Sequence, residues 1–177
     1  MATLSVFKRT AHLRVYIASS FKNSLLATIA TAVEGAGHEP FAWWVGDGIP
    51  ERLFPHATMT PAEYVRTLYD PPVRHKFQLD KAALDECDVG VLLLPAGASA
   101  HAEATYLRHG LGKPVIAFLG EGFKPDLMHR LFDNGFVTSI PDLLTALMLV
   151  EPGNAKKTGD LTASALDPFP IPSSRFA

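Results

Sequence analysis

One cysteine in 177 residues is the first constraint on this chain. A lone thiol, Cys87, forms no intramolecular disulfide and no multi-thiolate metal centre, which fits a reducing, cytoplasmic setting. Charge of one sign is equally scarce: the formal net charge is −2, and after residue 12 the basic clusters are Val73-Arg74-His75-Lys76 and Lys156-Lys157. That excludes the electrostatic footprint of a nucleic-acid polymer partner and leaves a small molecule as the expected substrate. Long hydrophobic runs are also missing. The longest, residues 89–96 and 115–119, fall far below the roughly 20 residues of a membrane-spanning helix, so no membrane partner is expected. Residues 1–12 carry a Lys8-Arg9 pair but no apolar segment of an export signal.

Phosphate-binding glycine motifs are absent as well. No dinucleotide-type glycine pattern occurs, and Gly110-Leu111-Gly112-Lys113 lacks the spacing and hydroxyl residue of a P-loop and runs straight into Pro114. The seven histidines show no metal-type grouping on one helix face, so neither a metal nor another cofactor is expected.

What is present is a regular alternation of apolar runs with helical patterns from residue 13 to 150, the pattern of a doubly wound parallel sheet. Strands are expected at 13–18, 38–43, 89–94, 114–119 and 136–138. Helices are expected at about 24–34, from the capping box Thr60-Pro61-Ala62-Glu63, at about 73–86, from a Ser99 cap to His109, around 126–132, and from Ser139 to about 150. Residues 44–58 are irregular and rich in Gly and Pro, the composition of a lid or wall. From residue 151 the composition shifts to Pro, Gly, Ser and Lys without periodicity. The chain therefore divides into an N-terminal extension (1–12), one α/β domain (13–150) and a Pro/Ser-rich C-terminal tail (151–177). If the order of its five strands is 2-1-3-4-5, the place of a ligand site can be located. In such a sheet the ligand lies beyond the carboxyl ends of the strands where strand order reverses, between the first and third strands. The segments meeting there are residues 19–22, 95–103 and 43–44.

Two carboxylates point toward that crevice. Val73, Phe77, Asp80, Leu84 and Cys87 share one helical stripe, which sets an acid on an apolar face. Burying an ionised carboxylate costs several kcal/mol unless it is paired or tuned. Asp80 is thus either a rim carboxylate paired with Lys76 or Lys81, or a site residue. Glu103, in the second turn of the helix after the third strand, lies beside the stripe of Ala100, Ala104, Leu107 and Leu111. It is either a helix-favouring surface residue or a group aimed at the crevice. Two carboxylates converging on one crevice suit glycosyl transfer, one acting at the anomeric carbon and one on the leaving-group proton. Tyr16, near the end of the first strand, is a core aromatic or the group that orients Glu103. Trp43 and Trp44 face opposite sides of a strand, and either a stacked base or core packing accounts for them. Ser19 and Ser20 lack a histidine-acid partner and read as turn donors to a ligand.

The segments Arg14-Val-Tyr-Ile-Ala-Ser-Ser-Phe21, Asp80, Asp88-Val-Gly-Val-Leu-Leu-Leu-Pro95, Ser99-Ala-His-Ala-Glu103 and Gly112-Lys-Pro-Val115 resemble the nucleoside 2-deoxyribosyltransferase-like superfamily over roughly residues 13–147. The resemblance implies a three-layer, flavodoxin-like or Rossmann-like fold with a five-stranded parallel sheet of order 2-1-3-4-5, and a homo-oligomeric enzyme in which a glutamate attacks C1′ of a nucleoside or nucleotide and forms a glycosyl-enzyme. It places that nucleophile at Glu103, the aspartate near the leaving base at Asp80 and the orienting tyrosine at Tyr16. It also places an asparagine that reaches a neighbouring subunit's sugar near Asp133-Asn134. Ser19, Ser20, Phe21, Trp43, Trp44, Gly97, Ser99, His101 and Asn134 are the expected substrate-binding residues. Where transferases on free nucleosides tend to carry a carboxylate six residues before the nucleophile, this chain has Gly97. A carboxylate there would repel a 5′-phosphate, so a nucleotide is favoured over a nucleoside, and hydrolysis of a 5′-monophosphate slightly over base exchange. Two further readings stand beside this one: a non-catalytic nucleotide-binding or sensor domain, and an NAD-cleaving enzyme of the Toll/interleukin-receptor-like kind.

Overall fold

The computed structural model describes residues 12–20, 22–41, 59–132 and 135–151. Five strands, β1 (Arg14–Ala18), β2 (Glu39–Phe41), β3 (Val89–Leu94), β4 (Val115–Leu119) and β5 (Phe136–Val137), form one sheet of order β2-β1-β3-β4-β5. All four pairings are parallel, so the expected doubly wound architecture is the observed one. β3 is buried at every position, as a central parallel strand covered on both faces must be.

Alternation along the strands divides the interior into two cores. Val15 and Ile17 of β1, with Val89, Val91 and Leu93 of β3, pack with helix α1 (Leu26–Gly35) and the C-terminal helix α5 (Ile140–Met148). Tyr16 and Ala18, with Leu92 and Leu94, face the opposite layer, formed by α3 (Pro71–Glu86) and α4 (Ala98–Thr105). Gly90 pairs with Tyr16 in the register, and a Cβ added there would stand 2.5 Å from Leu107 Cδ1. The missing side chain lets the α4 layer sit directly on the sheet.

Helix termini follow the local chemistry closely. Short α2 (Pro61–Thr67) buries no residue and is held by its own capping box: Thr60 Oγ1 accepts from Glu63 N–H and the Glu63 carboxylate accepts from Thr60 N–H at 2.8 Å. Ser139 caps α5, accepting from Asp142 N–H at 3.2 Å. Lys113, from the Gly-Lys pair that mimics part of a phosphate loop, is buried. Its Nζ donates to the carbonyls of Leu84 and Asp85 at 2.8 and 2.6 Å, closing the C-terminus of α3 against the start of β4. That bond fixes the helix carrying Asp80.

Four expectations are corrected. The helix after β3 begins at Ala98 with Gly97 as its N-cap, so Ser99 lies inside the first turn and does not cap. That helix continues as a π-helical turn, Tyr106–Gly110, and the helix expected around 126–132 is a 3₁₀ segment, Leu127–Phe132. Phe77 is 66% exposed although Val73, Leu84 and Cys87 on its stripe are buried. Helical spacing decides which side a residue takes, not whether anything lies beneath it.

Candidate functional site

Three side chains, one from the sheet and two from the helix layer packed on it, act on one another. Tyr16 projects from β1, only 1% exposed, its ring stacked on Phe41 of the edge strand with centroids 5.5 Å apart. Its hydroxyl donates a hydrogen bond to the carboxylate of Glu103, on the second turn of α4. Asp80, on α3, acts electrostatically on both. Flanking Ala100 and Ala104 are buried and small, which lets α4 approach the sheet and brings Glu103 within reach of the tyrosine.

The electrostatics follow from that packing. Burial, and secondarily the negative charge of Asp80, push the Glu103 carboxyl up to about 7; the Tyr16 hydrogen bond and Lys76 pull it partly back. Burial raises the Tyr16 phenol, and the charges of Glu103 and Asp80 raise it further, so it remains a protonated donor. Lys76 Nζ is hydrogen-bonded to Asp80 Oδ1, one helical turn away, both side chains being about a quarter exposed. Both readings of Asp80 therefore meet in one residue: it is paired with Lys76 and it is coupled to Glu103. Cys87 is buried, and burial pushes its thiol up to about 11, the state of an unreactive core residue.

The loops at the switch point are tied together by their own side chains. Ser19 is buried and its hydroxyl donates to Leu93 O at 3.3 Å; Ser20 Oγ accepts from Lys22 N–H. Asn23 donates from Nδ2 to Leu93 O (3.4 Å) and Pro95 O (3.1 Å) and accepts from Leu25 N–H (3.0 Å). It joins the β1–α1 turn to the β3–α4 loop. Gly97 and Ser99 are exposed at the start of α4. His101 Nδ1 bonds Gly97 O at 2.9 Å and its Nε2 lies 3.4 Å from Nε2 of His129, so both ring nitrogens have partners within the protein. Phe21, Trp43, Trp44 and Asn134, and the irregular stretch 44–58, lie outside the described residues.

Lys76, Asn23 and His129 were not among the residues singled out for the site. Lys76 was visible only as one of two partners for Asp80. Asn23 follows the Ser19-Ser20 turn closely, and a carboxamide that can donate twice and accept is the residue type for bridging two loops. His129 carries no sequence signal, because its partner is 28 positions away.

No family model matches the sequence, and no curated protein matches it. The structure is similar to that of a 2-deoxyribosyltransferase from the psychrotolerant bacterium Bacillus psychrosaccharolyticus, with a TM-score of 0.53 and 19% identity over 78% of this chain and 98% of that one. It also matches the CMP N-glycosidase BcmB of Clostridium botulinum, with a TM-score of 0.46 and 19% identity over 77% of this chain and 99% of that one. At this identity the first likeness establishes a shared fold, and the second adds no weight.

Proposed function

We propose that this chain cleaves or transfers at the N-glycosidic bond of a nucleoside or nucleotide. The observation that carries the proposal is that Tyr16, Asp80 and Glu103 act on one another where the helix layer meets the sheet, with a partly buried glutamate raised to about 7 and oriented by a phenol. The shared fold with a protein described as a 2-deoxyribosyltransferase agrees with it.

In the proposed reaction the Glu103 carboxylate attacks C1′, the C1′–N bond breaks, and its electron pair leaves with the base. Proton traffic at the leaving base falls to Asp80, with Lys76 beside it. A second nucleophile then displaces Glu103 from C1′: water completes hydrolysis, another base completes exchange. Two displacements retain configuration at C1′. Tyr16 holds Glu103 for in-line attack and stabilises its anionic form. Ser19, Ser20, Gly97 and Ser99 surround sugar and phosphate, and the absence of a carboxylate at Gly97 favours a 5′-monophosphate and hydrolysis. A homo-oligomer belongs to the same proposal, and sedimentation analysis tests it.

A second reading, a nucleotide-binding domain without chemistry, is favoured by one observation: Lys76 already occupies Oδ1 of Asp80. Incubation with deoxynucleotides, ribonucleotides, nucleosides and NAD, followed by chromatography of the released base, decides between them. Release from a nucleotide or nucleoside that disappears in Glu103→Ala supports the glycosidic reading. Release from none of the panel leaves the binding reading, and release from NAD alone moves the assignment to NAD cleavage.

A further inference from the structure

We infer that His129 is a positioning residue: through His101 it holds the Gly97 carbonyl, and with it the first turn of α4, in the geometry that presents Gly97 and Ser99 to substrate. The inference rests on the reading of that turn as part of the substrate site.

The proton positions follow from the acceptors. A carbonyl oxygen only accepts, so at 2.9 Å from Gly97 O the Nδ1 of His101 carries the hydrogen. In the neutral ring Nε2 is then the bare nitrogen, and it lies 3.4 Å from Nε2 of His129. The two ring planes are within 14° of parallel and the centroids are 5.6 Å apart. The centroids are farther apart than the nitrogens by about two ring radii, so the imidazoles meet nose to nose and do not overlap face to face. This alignment aims the His129 Nε2–H along the His101 lone pair, and His129 is the donor. Among the described residues no third His, Cys, Asp or Glu joins the pair to complete a metal site.

The pair links two segments that the sheet alone does not connect. His129 is 8% exposed, and its backbone N–H donates to Asp126 O at 3.1 Å, while Asp126 Oδ1 accepts from Met128 N–H at 2.8 Å. The 3₁₀ segment is thereby pinned from its own N-terminal end. From it a chain of bonds runs through His129 and His101 to Gly97, the residue that leads from the β3–α4 loop into α4. Unlike α2 and α5, α4 has no capping side chain at its N-terminus. The imidazole bond therefore supplies a side-chain restraint on this turn, while Glu103 keeps a separate anchor in Tyr16.

Long-range proton–nitrogen spectra of the wild-type chain read the tautomers directly. His101 is expected protonated at Nδ1 and bare at Nε2, with His129 protonated at Nε2; an Nε2-protonated neutral His101 overturns the relay. Calorimetric titration with a panel of nucleoside 5′-monophosphates reads the consequence. His129→Leu is expected to weaken binding about tenfold, the size of one hydrogen bond's worth of positioning. His129→Gln, which presents an N–H near the same place, is expected to recover to within about threefold of wild type. In turnover, KM should carry the change and kcat should stay within about threefold, since the Tyr16 anchor is intact. Leu and wild type binding equally, or Gln behaving as Leu, overturns the positioning role. Absence of base release in the wild type defeats the glycosidic reading but leaves the tautomer and binding measurements decisive. Base release with unchanged binding in His129→Leu defeats only the role of His129.

Discussion

The two faces of the sheet are built to different ends. On one, Val15, Ile17, Ile29, Val33, Val91, Leu143 and Leu147 form a core in which each is completely buried and each is apolar. On the other, the same strands bury Tyr16 against a layer that carries Asp80, Glu103, Lys76 and His129 and leaves Phe77 exposed. The first cluster is made of groups whose burial stabilises; the second lies against ionisable groups whose burial costs free energy unless they are paired. The difference separates the face that maintains the fold from the face proposed to do chemistry, and substitutions on the two should part activity from stability.

The sharpest separation is expected from Glu103→Gln, which should lower kcat/KM by about 10⁴-fold, the effect of removing a nucleophile, with the fold retained. Its stability effect has a defined sign. The folded-state pKa, about 7, lies above the ordinary carboxyl value of 4.5. The folded protein therefore binds this proton more tightly than the unfolded chain, and stability contributed by the protonated group is lost as pH rises from about 4.5 through about 7. Glu103→Gln should consequently match wild type at pH 4 and exceed it by up to about 3 kcal/mol at pH 8, as read by urea denaturation at both pH values. A Glu103→Gln stability advantage that does not grow across this window would remove the buried-charge account.

Asp80→Asn is the next largest expected effect. Losing the group that handles the leaving-base proton should reduce kcat/KM by about 10²- to 10³-fold. Because the Asp80 charge raises Glu103, the acid limb of the remaining activity should also move to lower pH. An acid limb that stays in place would mean the two carboxylates do not sense each other. On the opposite face, Leu147→Ala should lose about 2–5 kcal/mol of stability while kcat per folded molecule stays near wild type. A selective loss of turnover there would break the division of labour between the faces. The smallest effect is expected from Tyr16→Phe: about tenfold in kcat/KM, with the acid limb moving upward, since the phenol's hydrogen bond holds the Glu103 pKa down. A pH–rate profile that does not move would assign Tyr16 to packing alone.

Several features were legible because they are encoded within a few residues. The Thr60–Glu63 capping box, the Ser139 cap and the apolar run of β3 sit where their local chemistry demands. The elements bearing Tyr16, Asp80 and Glu103 followed from the same periodicity, and a sheet order of 2-1-3-4-5 then brings their layer together. Other features depend on distant partners. Ser99 is chemically the better cap, yet α4 begins from Gly97, whose carbonyl bonds a histidine held by another segment. Phe77 fits its stripe and remains exposed.

No helix among the described residues is long and apolar enough to cross a membrane. The alternation of strands and helices that gives the fold class, and the elements that bear the two carboxylates, were determined by sequence alone, since hydrophobic period and capping act over one or two turns. Only the tertiary structure decided that Lys76 sits on Asp80, that Tyr16 bonds Glu103, that Asn23 ties the two loops and that His129 meets His101. Each of those is a contact of defined direction, and several join residues remote in sequence. Periodicity specifies which face a residue takes, and packing in three dimensions specifies what it meets there.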